Sequence, residues 1–202
     1  MDEVRAGATV SLPAQWAVFF RQWLKNPLSM ASVVPSGRQL AQLMAAALPR
    51  DAGCVVELGA GTGVITEALI CHGVAPGNML VVEMNAVLHG MLEQRFPRAE
   101  VLCGDACQLH DLVDRSAGLA SGQVDAVVSS LGLLAIPRPV QRAILAGAFE
   151  VLKPGGVFVQ YTYGLSGPLD RRIARQLGLV CRSAGWAWRN LPPARVFVYS
   201  RR

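Results

Sequence analysis

The sequence predicts an α/β domain built on a mostly parallel sheet with helices on both faces. Three observations predict it. Apolar runs of strand length alternate with helix-length stretches from about residue 53 onward, the pattern of consecutive β-α-β units. One such run, Val55-Val56-Glu57-Leu58, leads directly into Gly59-Ala60-Gly61-Thr62-Gly63, a strand–turn–helix signature. The chain has 202 residues, enough for one domain with a substantial core.

In chain order, residues 12–25 read as an amphipathic helix. Ser11 can cap it and Pro13 is tolerated in its first turn. Leu12, Trp16, Phe19, Phe20, Trp23 and Leu24 share one face, Arg21, Gln22 and Lys25 lie elsewhere, and Asn26-Pro27 stops the helix. Ser36 caps a second helix over 37–48, before Pro49. The alternation then gives a strand over 54–58, a helix over 64–72, a strand over 79–83, a helix over 87–96 and a strand over 100–103. After the turn-prone Ser121-Gly122 come a strand over 126–129 and a helix over 139–152. Lys153-Pro154-Gly155-Gly156 reads as a tight turn, followed by a strand over 157–161, a short helix over 169–177 and a final strand over 196–199.

Composition narrows the class. Hydrophobic residues make up 52% of the chain, yet no apolar run reaches the ~20 residues that span a bilayer. Met1-Asp2-Glu3 lacks the basic-then-apolar order of a signal peptide. The expectation is a cytoplasmic protein that touches membranes without crossing them. The five cysteines, Cys54, Cys71, Cys103, Cys107 and Cys181, are odd in number and contain no CxxC. They read as reduced, mostly buried small apolar residues with no metal site among them. Charge is unevenly spread. Residues 1–50 carry five Lys/Arg against two Asp/Glu, residues 51–150 five against eleven, and residues 151–202 nine against one. Basic ends around an acidic middle suit a polyanionic partner, either an anionic membrane surface or nucleic acid.

The glycine loop lets the backbone turn sharply and approach a ligand closely. Alone, it does not separate a dinucleotide from another adenosine ligand. Glu57 shifts the balance, because an acid just before the glycines repels a pyrophosphate and suits a ligand carrying an amino group and a sulfonium. Glu83 ends the second strand, where a carboxylate can accept both ribose hydroxyls. Asp105, in Cys103-Gly104-Asp105-Ala106, follows the third strand and either accepts the adenine amino group or caps the next helix. Gly63 serves either the ligand or helix–strand packing.

With Leu152-Lys153-Pro154-Gly155-Gly156 before a late strand, residues 53–162 resemble the class I S-adenosylmethionine-dependent methyltransferases. The resemblance implies a Rossmann-like fold with a mostly parallel seven-stranded sheet. By it, Glu57, Gly59, Ala60, Gly61 and Gly63 would hold the methionine end of S-adenosylmethionine, Glu83 the ribose and Asp105 the adenine. Met84 and Ala106 would pack on the adenine, and S-adenosylhomocysteine would be the product. Ser129 and Leu131, at the fourth strand, can line the cofactor. Residues 1–35 would form the helical extension and 36–202 the cofactor-binding domain.

The methyl acceptor is read from other segments. Enzymes that methylate planar exocyclic amines usually carry an Asn/Asp/Ser-Pro-Pro-aromatic tetrad after strand four. Here Ser129-Ser130-Leu131-Gly132-Leu133 has neither the proline pair nor the aromatic, which weakens a nucleic-acid reading. Phe20-Arg21-Gln22-Trp23-Leu24-Lys25-Asn26-Pro27 and Val33-Val34-Pro35-Ser36-Gly37 resemble the bacterial phospholipid N-methyltransferases, in the branch related to ribosomal RNA adenine dimethylases. This implies stepwise methylation of phosphatidylethanolamine to phosphatidylcholine at the inner face of the cell membrane, by a protein that is a monomer when soluble. An RNA (adenine) or small-molecule methyltransferase is the alternative. A catalytically silent cofactor-binding protein is a third, disfavoured by the intact Glu57, Glu83 and Asp105.

Residues 12–25 fit that implication, since an aromatic, basic-flanked helix can lie in an anionic interface. Trp16, Phe19, Phe20 and Trp23 would enter the interface, and Arg21 and Lys25 would each contribute about 1 kcal/mol against anionic head groups. The same helix also reads as one packed on the sheet. Arg171, Arg172 and Arg175 beside Leu169, Ile173 and Leu177 make either a second interfacial helix or an ordinary packed one.

Methyl transfer to an amine requires a free lone pair, so an ethanolamine ammonium with a pKa near ~10 must first lose a proton. Aromatic faces would also stabilise the quaternary product. Tyr161 and Tyr163 sit at the end of the fifth strand on one side, and are the candidates to orient the amine, Tyr161 first; both also read as structural tyrosines. His72, His89 and His110 are isolated; His110 is the least unlikely base among them. Arg195 can bind a lipid phosphate or lie on the surface.

Overall fold

The computed structural model describes residues 37–164, 167–190 and 192–202. The helix expected over 12–25, with Trp16, Phe19, Phe20, Arg21, Trp23 and Lys25, lies outside the described residues, as do Val33-Val34-Pro35-Ser36. The chain from Gly37 runs α1 (Gly37–Ala45), β1 (Val55–Leu58), α2 (Val64–Cys71), β2 (Met79–Glu83), α3 (Ala86–Arg95), β3 (Glu100–Cys103), α4 (Leu109–Asp114), β4 (Val124–Ser129), α5 (Arg138–Val151), β5 (Leu152–Thr162), α6 (Arg171–Gln176), β6 (Leu179–Ala187) and β7 (Ala194–Arg201).

The seven strands form one sheet in the order β3-β2-β1-β4-β5-β7-β6. The first five are parallel to one another, and β7 inserts antiparallel between β5 and β6. The sheet is therefore mixed at one end. The order reverses between β1 and β4, which opens a crevice at the carboxyl ends of these strands, where α/β folds bind ligands.

Alternation along the strands sends side chains into two cores. On one face Val55, Val81, Val128 and Val159 pack under Leu40 and Met44 of α1, Ile65 and Leu69 of α2 and Leu92 of α3. On the other, Val56, Leu80, Val127 and Phe158 meet Leu109 and Leu112 of α4, Ile144 and Leu145 of α5 and Ile173 of α6. Each fully buried Leu or Ile contributes about 1.5–3 kcal/mol by leaving water. Among the described residues no helix is long and apolar enough to cross a membrane.

Three expectations change, and of the two readings of α6 one holds. β6 was not foreseen: it is an edge strand whose outward residues, including Arg182 and Ser183, give neither an apolar run nor an alternating pattern. The Lys153–Gly156 segment is an irregularity inside β5, since Leu152 pairs with Val124 but Val157 with Ala126. In α6, Ile173 is buried and so is the preceding Leu169, so its apolar side belongs to the domain core. The cysteines are free, but Cys71, Cys103 and Cys181 are exposed and none of the five is fully buried.

One charged cluster holds the sheet at the end opposite the crevice. The Asp125 carboxylate accepts hydrogen bonds from the Gly53 N–H (2.8 Å) and the Cys54 N–H (2.7 Å) and pairs with Lys153. Burial pushes its pKa up, but the Cys54 N–H, Lys153 and the Gly53 N–H outweigh this and hold it below the usual carboxylate range.

Candidate cofactor and acceptor site

β1 ends in the glycine loop, and each glycine has its own reason. Gly59 is left-handed (φ 71°), and a Cβ there would lie 2.7 Å from Leu131 Cδ2, so Leu131 closes directly over the loop. Gly63 opens α2 at φ 81°, where a Cβ would meet Phe96 at 2.5 Å and Leu92 at 2.9 Å. Gly63 therefore serves helix packing, one of its two sequence readings. A Cβ on Gly61 would meet nothing within 4 Å, so the loop faces open space there. Ala60, between them, is buried.

Glu57 is fully buried in β1. Its Oε2 accepts a 2.6 Å hydrogen bond from the Thr66 hydroxyl of α2, while its Oε1 is buried with no partner. Burial pushes its pKa up to about 7, against the lowering effect of Thr66. A buried carboxylate oxygen without a donor is costly unless a cation or donor arrives, and an amino-acid ammonium is such a group.

Glu83, at the end of β2, accepts from the Gly61 N–H through Oε2 and from the Asn85 N–H through Oε1, both at 2.9 Å. Two backbone donors fix the carboxylate beside the loop and leave lone pairs for a diol. Met84 is 72% exposed beyond it, an unpaired apolar platform suited to an adenine. Asp105 Oδ1 accepts from the Cys107 N–H (2.9 Å), so the capping role is realised, and Oδ2 remains for a ligand. Ala106 is buried in the core beneath.

At β4 the expectation divides between neighbours. Ser129 is fully buried and its hydroxyl accepts from the Leu131 N–H (3.3 Å), so it shapes the turn that carries Leu131. Ser130 has a buried hydroxyl with no partner. Beside it in the sheet, Gln160 of β5 pairs in register with Ser129. Its Nε2 donates to the Leu131 and Tyr161 carbonyls (2.9 and 3.0 Å), and its Oε1 is unpartnered. Reading the sequence passed over Ser130 and Gln160. Their only signal is a polar side chain inside an apolar run.

Tyr161 and Tyr163 lie on the same side of β5, as alternation requires, with ring centroids 5.5 Å apart and edge-to-face. Burial pushes both phenols up, Tyr161 well above the ordinary value. Both stay neutral near pH 7, so they can orient an amine by hydrogen bonding but cannot accept its proton as phenolates. Tyr163 is the less buried of the two. His110 pairs with Asp114 (3.1 Å) on the surface, and His89 is engaged by Val101 and Glu93. Arg195 stacks over Trp186 and Phe197.

Comparison with known proteins agrees with this geometry. Residues 55–156 match the family described as a methyltransferase domain. The ornithine lipid N-methyltransferase of Singulisphaera acidiphila is 30% identical over 186 residues, covering 89% of this chain and 93% of that protein. The ribosomal RNA small subunit methyltransferase A of a Synechococcus species is 34% identical over 97 residues, only 45% of this chain and 30% of that protein. In fold, the chain is similar to the Burkholderia thailandensis 1,6-didemethyltoxoflavin-N1-methyltransferase, with a TM-score of 0.65, 15% identity and coverage of 98% and 94%.

An α/β sheet with a glycine loop, a buried acid before it and a fixed carboxylate after the next strand defines a class I S-adenosylmethionine-dependent methyltransferase. The chain belongs to the methyltransferase-domain family, and its cofactor is S-adenosylmethionine. The residues present fit that molecule: an unpaired buried acceptor for its ammonium, a positioned carboxylate for its ribose and open space at Gly61.

Proposed function

We propose that this enzyme methylates the head-group amine of a membrane lipid, converting phosphatidylethanolamine through its mono- and dimethyl derivatives to phosphatidylcholine at the cytoplasmic membrane surface. The observation that carries the reading is the similarity to an ornithine lipid N-methyltransferase along 89% of the chain. The absence of an aromatic from Ser129-Ser130-Leu131-Gly132-Leu133 supports it, because such a turn has no ring to stack on a base. The same relative favours a second reading, ornithine lipid as substrate. Both lipids present a primary amine beside polar head-group atoms.

The bound cofactor supplies a methyl group on a sulfonium, open to in-line displacement. Glu57 Oε1 would hold the ammonium of its methionine end, Glu83 the ribose diol, and Asp105 Oδ2 with Met84 and Ala106 the adenine. Leu131, seated over Gly59, excludes water from the loop. Ser130 and the neutral phenol of Tyr163 would accept hydrogen bonds from the amine and turn its lone pair towards the methyl. With the cofactor held so, the amine nitrogen would take the methyl as the sulfonium C–S bond gave way, and the amine's proton would leave to water. Placement supplies most of the acceleration.

The test is incubation with methyl-labelled cofactor and vesicles containing phosphatidylethanolamine or ornithine lipid, or with ribosomal RNA, followed by separation of the products. Label in mono-, di- and trimethylated phosphatidylethanolamine is expected. Label confined to ornithine lipid supports the second reading, and label in RNA alone overturns both.

A further inference from the structure

The β6–β7 turn carries a feature that the cofactor site does not use. Trp186 and Trp188, two residues apart, stack with ring centroids 4.8 Å apart and planes 15° from parallel. Trp188 is 67% exposed. A stacked indole pair this open to water is unusual for a soluble surface. Arg195 sits over Trp186 at 5.5 Å and over Phe197 at 4.8 Å, and its Nε donates to the Ser183 hydroxyl (3.0 Å). Arg189, next to Trp188, is exposed.

The turn is also held in place. Ala187 and Ala194 are its closing pair. The Arg189 N–H donates to Gln39 Oε1 of α1 (2.8 Å), and Asn190 donates to the Pro192 carbonyl (2.8 Å). Register fixes which end of the sheet it occupies. Thr162, the last residue of β5, pairs with Arg195, which pairs with Trp186. The aromatic tip therefore projects from the same end of the sheet as the carboxyl ends of β4 and β5, where the acceptor site opens.

We propose that the Trp186–Trp188 turn is a docking surface that seats in the interface of an anionic phospholipid bilayer. Indoles favour that depth, being apolar with one N–H to satisfy. Charge complementarity selects the anionic surface: the exposed Arg189 adjoins Trp188 and Arg195 lies over Trp186, and cations beside interfacial aromatics draw the surface to anionic head groups. Docking there turns the acceptor end of the sheet towards the head groups. The inference rests on the substrate being a membrane lipid.

The test uses the full chain with Trp16→Phe and Trp23→Phe, leaving Trp186 and Trp188 as the only indoles. It is mixed with vesicles of equimolar phosphatidylglycerol and phosphatidylcholine bearing brominated acyl chains. The expected result is a blue shift and quenching by bromine, absent with phosphatidylcholine alone. Trp188→Ala, and separately Arg189→Glu, should each weaken vesicle binding about tenfold with affinity for S-adenosylhomocysteine unchanged, which shows that the fold is intact. Indoles unquenched by the anionic vesicles, or already shielded by the chain's own residues without lipid, overturn the proposal. So does parental vesicle binding in both variants. If label still enters lipid in that case, the docking surface fails and the lipid reading stands. If quenching occurs but no lipid is labelled, the lipid reading is the one that fails.

Discussion

The two halves of the sheet treat their polar groups differently. In the β1–β3 half, each cofactor-facing group is fixed by a neighbour close at hand: Glu57 by Thr66, Glu83 by the N–H groups of Gly61 and Asn85, Asp105 by the Cys107 N–H. In the β4–β7 half, Ser130 Oγ and Gln160 Oε1 are buried without a protein partner, and the rings of Tyr161 and Tyr163 pack edge-to-face. Among the described residues, the one buried side-chain oxygen without a partner in the cofactor half is Glu57 Oε1, whereas the β4–β7 half keeps two such atoms.

That contrast can be broken most forcefully at Glu57. Glu57→Gln should weaken S-adenosylhomocysteine binding by about 2–5 kcal/mol, the scale for removing one member of a buried charge pair, as read by calorimetry. The same variant should make the ligand-free protein more stable at pH 8. The reason is that burial raises the folded-state pKa of Glu57 from 4.5 to about 7. Its favourable contribution is complete below the unfolded value and is lost as pH rises through 7. Unchanged affinity would remove Glu57 from the site.

Next in size is Gly63→Ala. A left-handed backbone and a Cβ at 2.5 Å from Phe96 together cost about 2–4 kcal/mol, seen as a lower urea midpoint. A stable variant would mean that α3 yields easily and that the cofactor half is less rigid than described.

Asp125→Asn tests stability away from both sites. It should cost about 1–3 kcal/mol without altering cofactor affinity. The Asp125 pKa is depressed in the fold, so its contribution is present above the unfolded value of about 3.9 and lost as pH falls through the folded one. The gap between parent and variant in denaturant melts should therefore be full at pH 7 and close under acid.

The smallest effect is expected in the acceptor half. Ser130→Ala should lower kcat/KM for lipid by about 1 kcal/mol, leaving cofactor affinity as it was. A loss of cofactor affinity would place Ser130 in the other half.

The same contrast explains what could be read from the chain. The places of Gly59, Gly61, Glu57, Glu83 and Asp105 at the ends of β1, β2 and β3 were legible from local spacing. The parallel strands were legible as apolar runs. β6 was not, because an exposed edge strand needs only its backbone and lets Arg182 and Ser183 face water. Ser130 and Gln160 were missed because an unpaired atom is a property of register: Gln160 matters only once β5 pairs with β4. The Trp186–Trp188 stack likewise depends on β6 pairing with β7 around its irregularity between Ser183 and Gly185. Position at the end of β5 put Tyr161 before Tyr163, and burial is legible only in the fold: Tyr161 is buried and Tyr163 is half-buried.

The central claim is that a buried, unpaired carboxylate awaits the charged end of the cofactor. Calorimetry near pH 7, in buffers of different ionisation enthalpy, tests it most directly. A cation arriving at Glu57 lowers its pKa, so the parent protein should release a fraction of a proton on binding S-adenosylmethionine, beyond whatever Glu57→Gln releases. Identical proton release in parent and variant would contradict the account.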